Sequence, residues 1–193
     1  MMISQSLHSI LSSYGDIIEL DYQFGDSAMV DVCDLRNWMD APGNKQALNL
    51  TGPLDDLQLD DQKKHASNQE YNDNLNQCPS LMSFFDNFHG LSRCRAVKLR
   101  AGSFFRPHRD AWKFNEQFRI FIPLNGTEDK DWMFFYENKS IKFKPGVPYI
   151  LNTRKVHGSF CFSDDVYHVL MSLPLNEKNL RAIMKMIPYY KDY

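Results

Sequence analysis

In the stretch RCRAVKLRAGSFFRPHRDAWKFNEQFRIFIPL, residues 93–124, a histidine and an aspartate stand two positions apart, at His108 and Asp110. On an extended segment that spacing turns both side chains toward the same side of the pleat. A second histidine, His157, comes 47 positions after Asp110, within the run VPYILNTRKVHGSF. Two imidazoles and one carboxylate, with other coordination positions left open, make the facial triad that holds non-heme Fe(II) in oxygenases. The gap is too long for a local motif, so the fold itself must close such a site. Arg119 projects from the strand-like run that follows the pair.

The elements around these residues are mostly short strands. After Gly90, runs rich in apolar and β-branched residues recur at 94–100, 117–124, 132–136, 140–143, 147–151 and 166–173. Turn residues separate them: Asn125-Gly126, Glu137-Asn138, Pro145-Gly146 and Ser163–Asp165. Many short strands at such spacing indicate a sandwich, jelly roll or small barrel. Before Gly90 the pattern is mixed. Ile3, Leu7, Ile10 and Leu11 have helical spacing. Strands are expected over 17–24, 27–35 and 46–50, with a turn at Asp40–Asn44. From Thr51 to Asn76 the chain is polar and reads as a long surface loop. Pro79–Phe88 reads as a helix with Pro79 near its start and Gly90 closing it. Helical spacing returns through Leu180, Ile183, Met184 and Ile187. The class is mainly β with flanking helices.

At 193 residues the chain is long enough to bury a substantial core as one domain. Its net charge of −2 gives no electrostatic case for nucleic-acid or anionic-membrane binding. No apolar run is long enough to span a bilayer, and the N-terminus lacks the pattern of a signal peptide. Cys33, Cys78, Cys94 and Cys161 have no CxxC spacing, which points to reduced thiols and a cytoplasmic location.

The segments FRPHRDAWKFNEQFRIFIPL and GVPYILNTRKVHGSF resemble the core of the aspartyl/asparaginyl β-hydroxylase family, within the Fe(II)/2-oxoglutarate-dependent dioxygenases. The resemblance covers about residues 94–173. It implies a double-stranded β-helix (jelly-roll, cupin-like) core over 93–175, preceded by a helical, variable substrate-side region (1–92) and followed by a C-terminal helix (176–193). It also implies that His108, Asp110 and His157 are metal ligands, that Arg119 helps to bind 2-oxoglutarate, and that Tyr149 with Asn152 belongs to the segment leading to the distal histidine. The activity implied is hydroxylation of an amino acid or a peptidyl side chain, using O₂ and converting 2-oxoglutarate to succinate and CO₂. Trp112, Phe104, Phe105, Phe121, Phe134 and Tyr136 are candidate cavity walls, and Trp38 with the 40–44 turn is a candidate substrate contact.

There are two departures. Where the family places an arginine about ten residues after the distal histidine, this chain has Tyr167 and His168. The histidine two places after the strand arginine is replaced by Phe121. A phenol does not match a bidentate guanidinium–carboxylate pair, so Lys98, Arg100, Arg106 and Arg154 become candidates for that contact, beside Tyr167 and His168. Three rivals differ in class: a cupin-type metal-binding protein, a non-enzymatic interaction module, and an enzyme using another cosubstrate. Cupins usually offer more histidines close together than this chain does.

Overall fold

A computed structural model of the chain describes residue 9 and residues 12–54, 70–110 and 117–188. Among these residues the order is β1 (Ile17–Glu19), α1 (Asp26–Asp34), β2 (Met39–Ala41), β3 (Lys45–Asn49), α2 (Asp73–Asn76) and α3 (Pro79–Phe85), then β4 (Arg95–Leu99), β5 (Phe104–His108), β6 (Gln117–Pro123), β7 (Trp132–Tyr136) and β8 (Lys139–Ile141), and finally β9 (Tyr149–Leu151), β10 (His157–Cys161), β11 (Val166–Pro174) and α4 (Glu177–Met184). The strands form a seven-stranded sheet, β1-β9-β6-β11-β4-β3-β2, and a four-stranded sheet, β5-β10-β7-β8. Every pairing within them is antiparallel. From β4 onward the chain crosses repeatedly between the two sheets, which is the double-stranded β-helix, or jelly roll.

Each face of the large sheet has its own apolar cluster. Ala96, Ile120, Ile122, Val169 and Met171 turn outward onto Ala28, Val32, Leu81, Phe84 and Phe85 of the helices. Val97, Phe121, Leu151 and Val166 turn inward onto Trp132, Phe134 and Phe143 of the second sheet and its connections. The period-2 alternation along β4, β6 and β11 assigns the residues to these faces. The near-continuous apolar runs of β6 and β11 are those of strands covered on both sides.

The residues before 93 add strands to both edges of the large sheet: β1 extends one edge, and β2 with β3 extends the other. The strand expected over 27–35 is instead helix α1. Its buried residues Ala28 and Val32, with Leu35 at its C-cap, lie at i, i+4 and i+7, while Val30 is 55% exposed; this is a helical stripe rather than a pleat. β2 runs into the expected turn at 40–44, β10 takes up the end of the strand-like run 147–160, and β5 is a strand not expected because Pro107 interrupts its apolar signal. Pro107 is tolerated since β5 is an edge strand. The polar 51–76 segment closes on itself through a Thr51–Tyr71 bridge. Asn72 then caps the short helix α2, accepting from the N–H groups of Asn74 and Leu75. Residues 55–69 of that segment, most of the 3–13 helix, and Trp112 lie outside the described residues. All four cysteines are free thiols. Among the described residues no helix is long and apolar enough to cross a membrane.

Candidate active site

β5 and β10 are antiparallel neighbours whose register pairs His108 directly with His157. Their ring centroids are 4.4 Å apart. Both rings are held in the same way. Nδ1 of His108 bonds the Arg106 carbonyl at 2.8 Å, and Nδ1 of His157 bonds the Lys155 carbonyl at 2.9 Å. A carbonyl only accepts, so each Nδ1 carries a proton, which leaves Nε2 of each ring as the nitrogen that can give its lone pair to a metal once it is deprotonated. Orienting contacts of this kind accompany metal-ligating histidines.

Asp110 lies just past β5, and its backbone N–H donates to the Thr153 carbonyl at 2.9 Å. Its carboxylate stands between His108 and Arg119: Oδ1 is 3.4 Å from His108 Nε2, which donates to it when protonated, and Oδ2 is 3.4 Å from Arg119 Nε. One ligand atom from each of His108, Asp110 and His157 lies within 4.8 Å of the others. Two donors at right angles around an ion, each about 2.1 Å away, stand about 3 Å apart, so modest side-chain rotations bring this set onto one ion. Burial would raise the Asp110 carboxyl, but the His108 hydrogen bond and the charges of Arg119 and His157 outweigh it and hold it below the usual carboxylate range. The hydrogen bond to Asp110 raises His108, while burial lowers His157. A nitrogen–nitrogen–carboxylate set with open positions fits Fe(II).

The triad faces a cavity of about 230 Å³ between the sheets. Phe105, Phe121, Trp132, Phe134 and Leu151 form its apolar wall. His168 is fully buried in it, tilted against Phe121 at 5.1 Å; burial and then the nearby Lys45 charge push the imidazole down to about 3, so it is neutral. The charged groups are unbalanced. Among the described residues, Lys45, Arg93, Arg95 and Arg119 line the cavity, against the single carboxylate of Asp110. Lys45 Nζ lies 4.0 Å over the Phe105 ring, and burial followed by Arg95 lowers its pKa. Arg93 is pushed down to about 9 by burial and then by Arg95 and Arg119, and remains charged at neutral pH. Two buried side-chain polar atoms, Trp132 Nε1 and Ser172 Oγ, have no hydrogen-bond partner among the described residues, while Thr153 lies against the Asp110 carboxylate. All three residues line this cavity. A buried polar atom left unpaired costs about 1–3 kcal/mol, so the Trp132 and Ser172 side chains are available to a polar ligand in the cavity.

Of the residues expected from sequence, the structure brings together His108, Asp110, His157, Arg119 and His168. Tyr149 and Tyr167 do not line the cavity. Tyr149 packs on Phe143 and donates from its hydroxyl to Glu19 at 3.2 Å. Tyr167 is on the opposite face of β11, against Trp38, which removes Trp38 from the cavity as well. Lys98, Arg100, Arg106 and Arg154 are likewise absent from the lining; Lys98 pairs with Asp165 at 2.7 Å. Phe104 is exposed and stacks on Phe160, and Tyr136 donates to the Asn152 carbonyl at 2.8 Å. Sequence reasoning missed Lys45, Arg93, Arg95 and Ser172. The alternation Arg93-x-Arg95-x-Val97 was the available signal, since it puts both guanidiniums on the cavity face. Nothing local marks Lys45, which arrives on a strand from another part of the chain.

This is the jelly-roll scaffold shared by oxygenases and cupins. The chain resembles an oxidoreductase of the 2OG-Fe(II) oxygenase family from Burkholderia pseudomallei, with a TM-score of 0.55 and 11% identity over 88% of each chain. It also resembles the viral collagen prolyl hydroxylase of Paramecium bursaria Chlorella virus-1, in its 2OG complex, with a TM-score of 0.54 and 8% identity over 84% of this chain and 97% of that one. A likeness to KdgF from Halomonas sp. has a TM-score of 0.43 and 12% identity over 75% of this chain and 91% of that one. No protein-family model matches, and no curated protein matches in sequence; the narrower resemblance to the aspartyl/asparaginyl β-hydroxylases is unsupported.

Proposed function

We propose that this chain is an Fe(II)- and 2-oxoglutarate-dependent dioxygenase that hydroxylates an amino acid or a peptidyl side chain. The observation that carries the reading is the convergence of His108, Asp110 and His157, both histidines presenting Nε2, on a cavity between jelly-roll sheets. His108, Asp110 and His157 would hold the metal. When bound, Fe(II) supplies O₂ activation and oxidation of an unactivated C–H bond, with the cosubstrate giving up two electrons as it loses CO₂.

The chain's own residues then have separate tasks. Arg119 holds the Asp110 carboxylate in position. Phe105, Phe121, Phe134 and Leu151 exclude water from the reacting groups. The far carboxylate of 2-oxoglutarate falls to Lys45, with Trp132 Nε1–H as a second donor. Ser159, two residues beyond His157, is about 7 Å further along the strand; it pairs with Phe105, whose ring carries the Lys45 ammonium. His168, neutral at the position where the family has arginine, adds no charge there.

The test is anaerobic addition of Fe(II) and then 2-oxoglutarate, monitoring the visible metal-to-ligand charge-transfer band, with His108→Ala alongside. A band that the variant loses supports the assignment. Iron bound without a band removes 2-oxoglutarate from it, and no iron bound refutes it.

A further inference from the structure

We infer that Arg93, Arg95 and Ser172 form a carboxylate site for the primary substrate, separate from the cosubstrate position, so that the chain acts on a small free acid such as an unblocked amino acid. This rests on the dioxygenase reading for what is done to the substrate, though not for whether the acid binds.

The strand register places the three groups together. Arg93 and Arg95 lie at alternate positions entering β4 and both line the cavity. Ser172 on β11 pairs with Arg119 on one side. On its other side the Ser172 carbonyl accepts from the N–H of Ser92, next to Arg93, at 3.0 Å. The Ser172 side chain therefore sits between Arg93 and Arg119 in one row across the sheet. It is 1% exposed, and its Oγ has no hydrogen-bond partner among the described residues. A hydroxyl buried unpaired between guanidiniums, on a ligand-sized cavity, is placed to donate to an anion.

The charges lead to the same conclusion. Asp110 accounts for Arg119 at 3.4 Å, and Lys45 stands toward the Phe105 end, away from the triad. Arg93 forms no ion pair among the described residues, and Arg95 is braced against the wall by Asn49 Oδ1 at 3.0 Å. Two guanidiniums and one hydroxyl match the two oxygens of a carboxylate. Size limits the occupant: about 230 Å³ corresponds to roughly fifteen water-sized sites, enough for two small acids and too little for a folded protein segment.

The test uses the metal-free full-length protein, so its outcome does not depend on iron chemistry. A set of free L-amino acids and their C-terminal amides is screened by saturation-transfer NMR, with acetate and inorganic phosphate as competitors. At least one free acid is expected to bind while its amide does not. Arg93→Met should weaken that binding about 10- to 100-fold, the loss of one charge-assisted partner, and Ser172→Ala should weaken it less. Lys45→Met should leave it in place. Arg93→Lys, which keeps the charge, should retain part of the binding and guards against a folding defect in Arg93→Met. Equal binding of acid and amide, no binding of any free acid, loss in Lys45→Met but not in Arg93→Met, or stronger competition by phosphate than by acetate would each overturn the assignment. The charge-transfer experiment fails or succeeds independently, through His108 and iron.

Discussion

Replacing Gly158 by alanine tests how the fold sets the ligand geometry. Gly158 follows His157 where the β5–β10 register shifts: between the pairs His157–His108 and Ser159–Phe105, β10 advances two residues and β5 three. The irregularity is a bulge, and glycine permits the strands to close there. A β-carbon at 158 would lie 2.4 Å from Phe135 Cζ and 2.7 Å from the Phe105 carbonyl oxygen. The phenyl ring can turn aside, but the carbonyl belongs to the strand that carries His108. Ordinary contact begins at 3.4 Å, so the strands must part by about 0.7 Å (3.4 − 2.7). Metal ligation tolerates deviations of about 0.2 Å. Gly158→Ala is therefore expected to weaken divalent-metal binding about 10- to 100-fold, and to lower stability by about 1–3 kcal/mol. Calorimetric titration with Co(II) under nitrogen and urea unfolding measure the two effects. Gly25→Ala is the control, since its β-carbon would meet only Ser27 Oγ at 3.9 Å. Wild-type affinity and stability in Gly158→Ala would refute the idea that this close approach holds the two histidines in register.

Two further predictions concern the body of the protein. Asn179 is buried; its Oδ1 accepts from the His89 N–H at 2.8 Å, and its Nδ2 donates to the carbonyls of His89 and Pro174 at 2.9 and 3.0 Å. Asn179→Ala should cost about 2–4 kcal/mol in urea unfolding while leaving metal affinity unchanged; a loss under 1 kcal/mol would show that the loop satisfies itself another way. His168 is held neutral with its pKa near 3, against about 6.5 in the unfolded chain. Between those values the unfolded chain takes up a proton that the native state refuses, so this residue's effect is absent above pH 6.5 and destabilises increasingly as pH falls. Relative to His168→Leu, wild type should lose about 1.4 kcal/mol per pH unit between pH 6 and 4; parallel pH profiles would refute the burial argument.

The sequence by itself determined the strand-rich class and most of the strands after Gly90, and it supplied the candidate ligand set. Those signals are local: HxD spacing, apolar alternation, and Gly, Pro and Asn at turns act within a few residues. Arg119 came from the resemblance of the strand RIFIPL to the dioxygenase pattern. The segment 26–34 is ambiguous for a local reason too: Ala28, Val30 and Val32 satisfy the strand period and Ala28 with Val32 the helical one, and only packing against α3 and the sheet selects the helical stripe. Tertiary structure alone decided the rest. Tyr167 and His168 are adjacent in sequence, but the pleat sends one toward the helices and the other into the cavity. Lys45 reaches that cavity from a strand before the core, while Lys98, Arg100, Arg106 and Arg154 stay outside it. The pairing of His108 with His157, and the row Arg93–Ser172–Arg119, exist only across strands joined by backbone hydrogen bonds. Register is set by the sum of the contacts along each strand pair, and no single stretch of the chain contains that information.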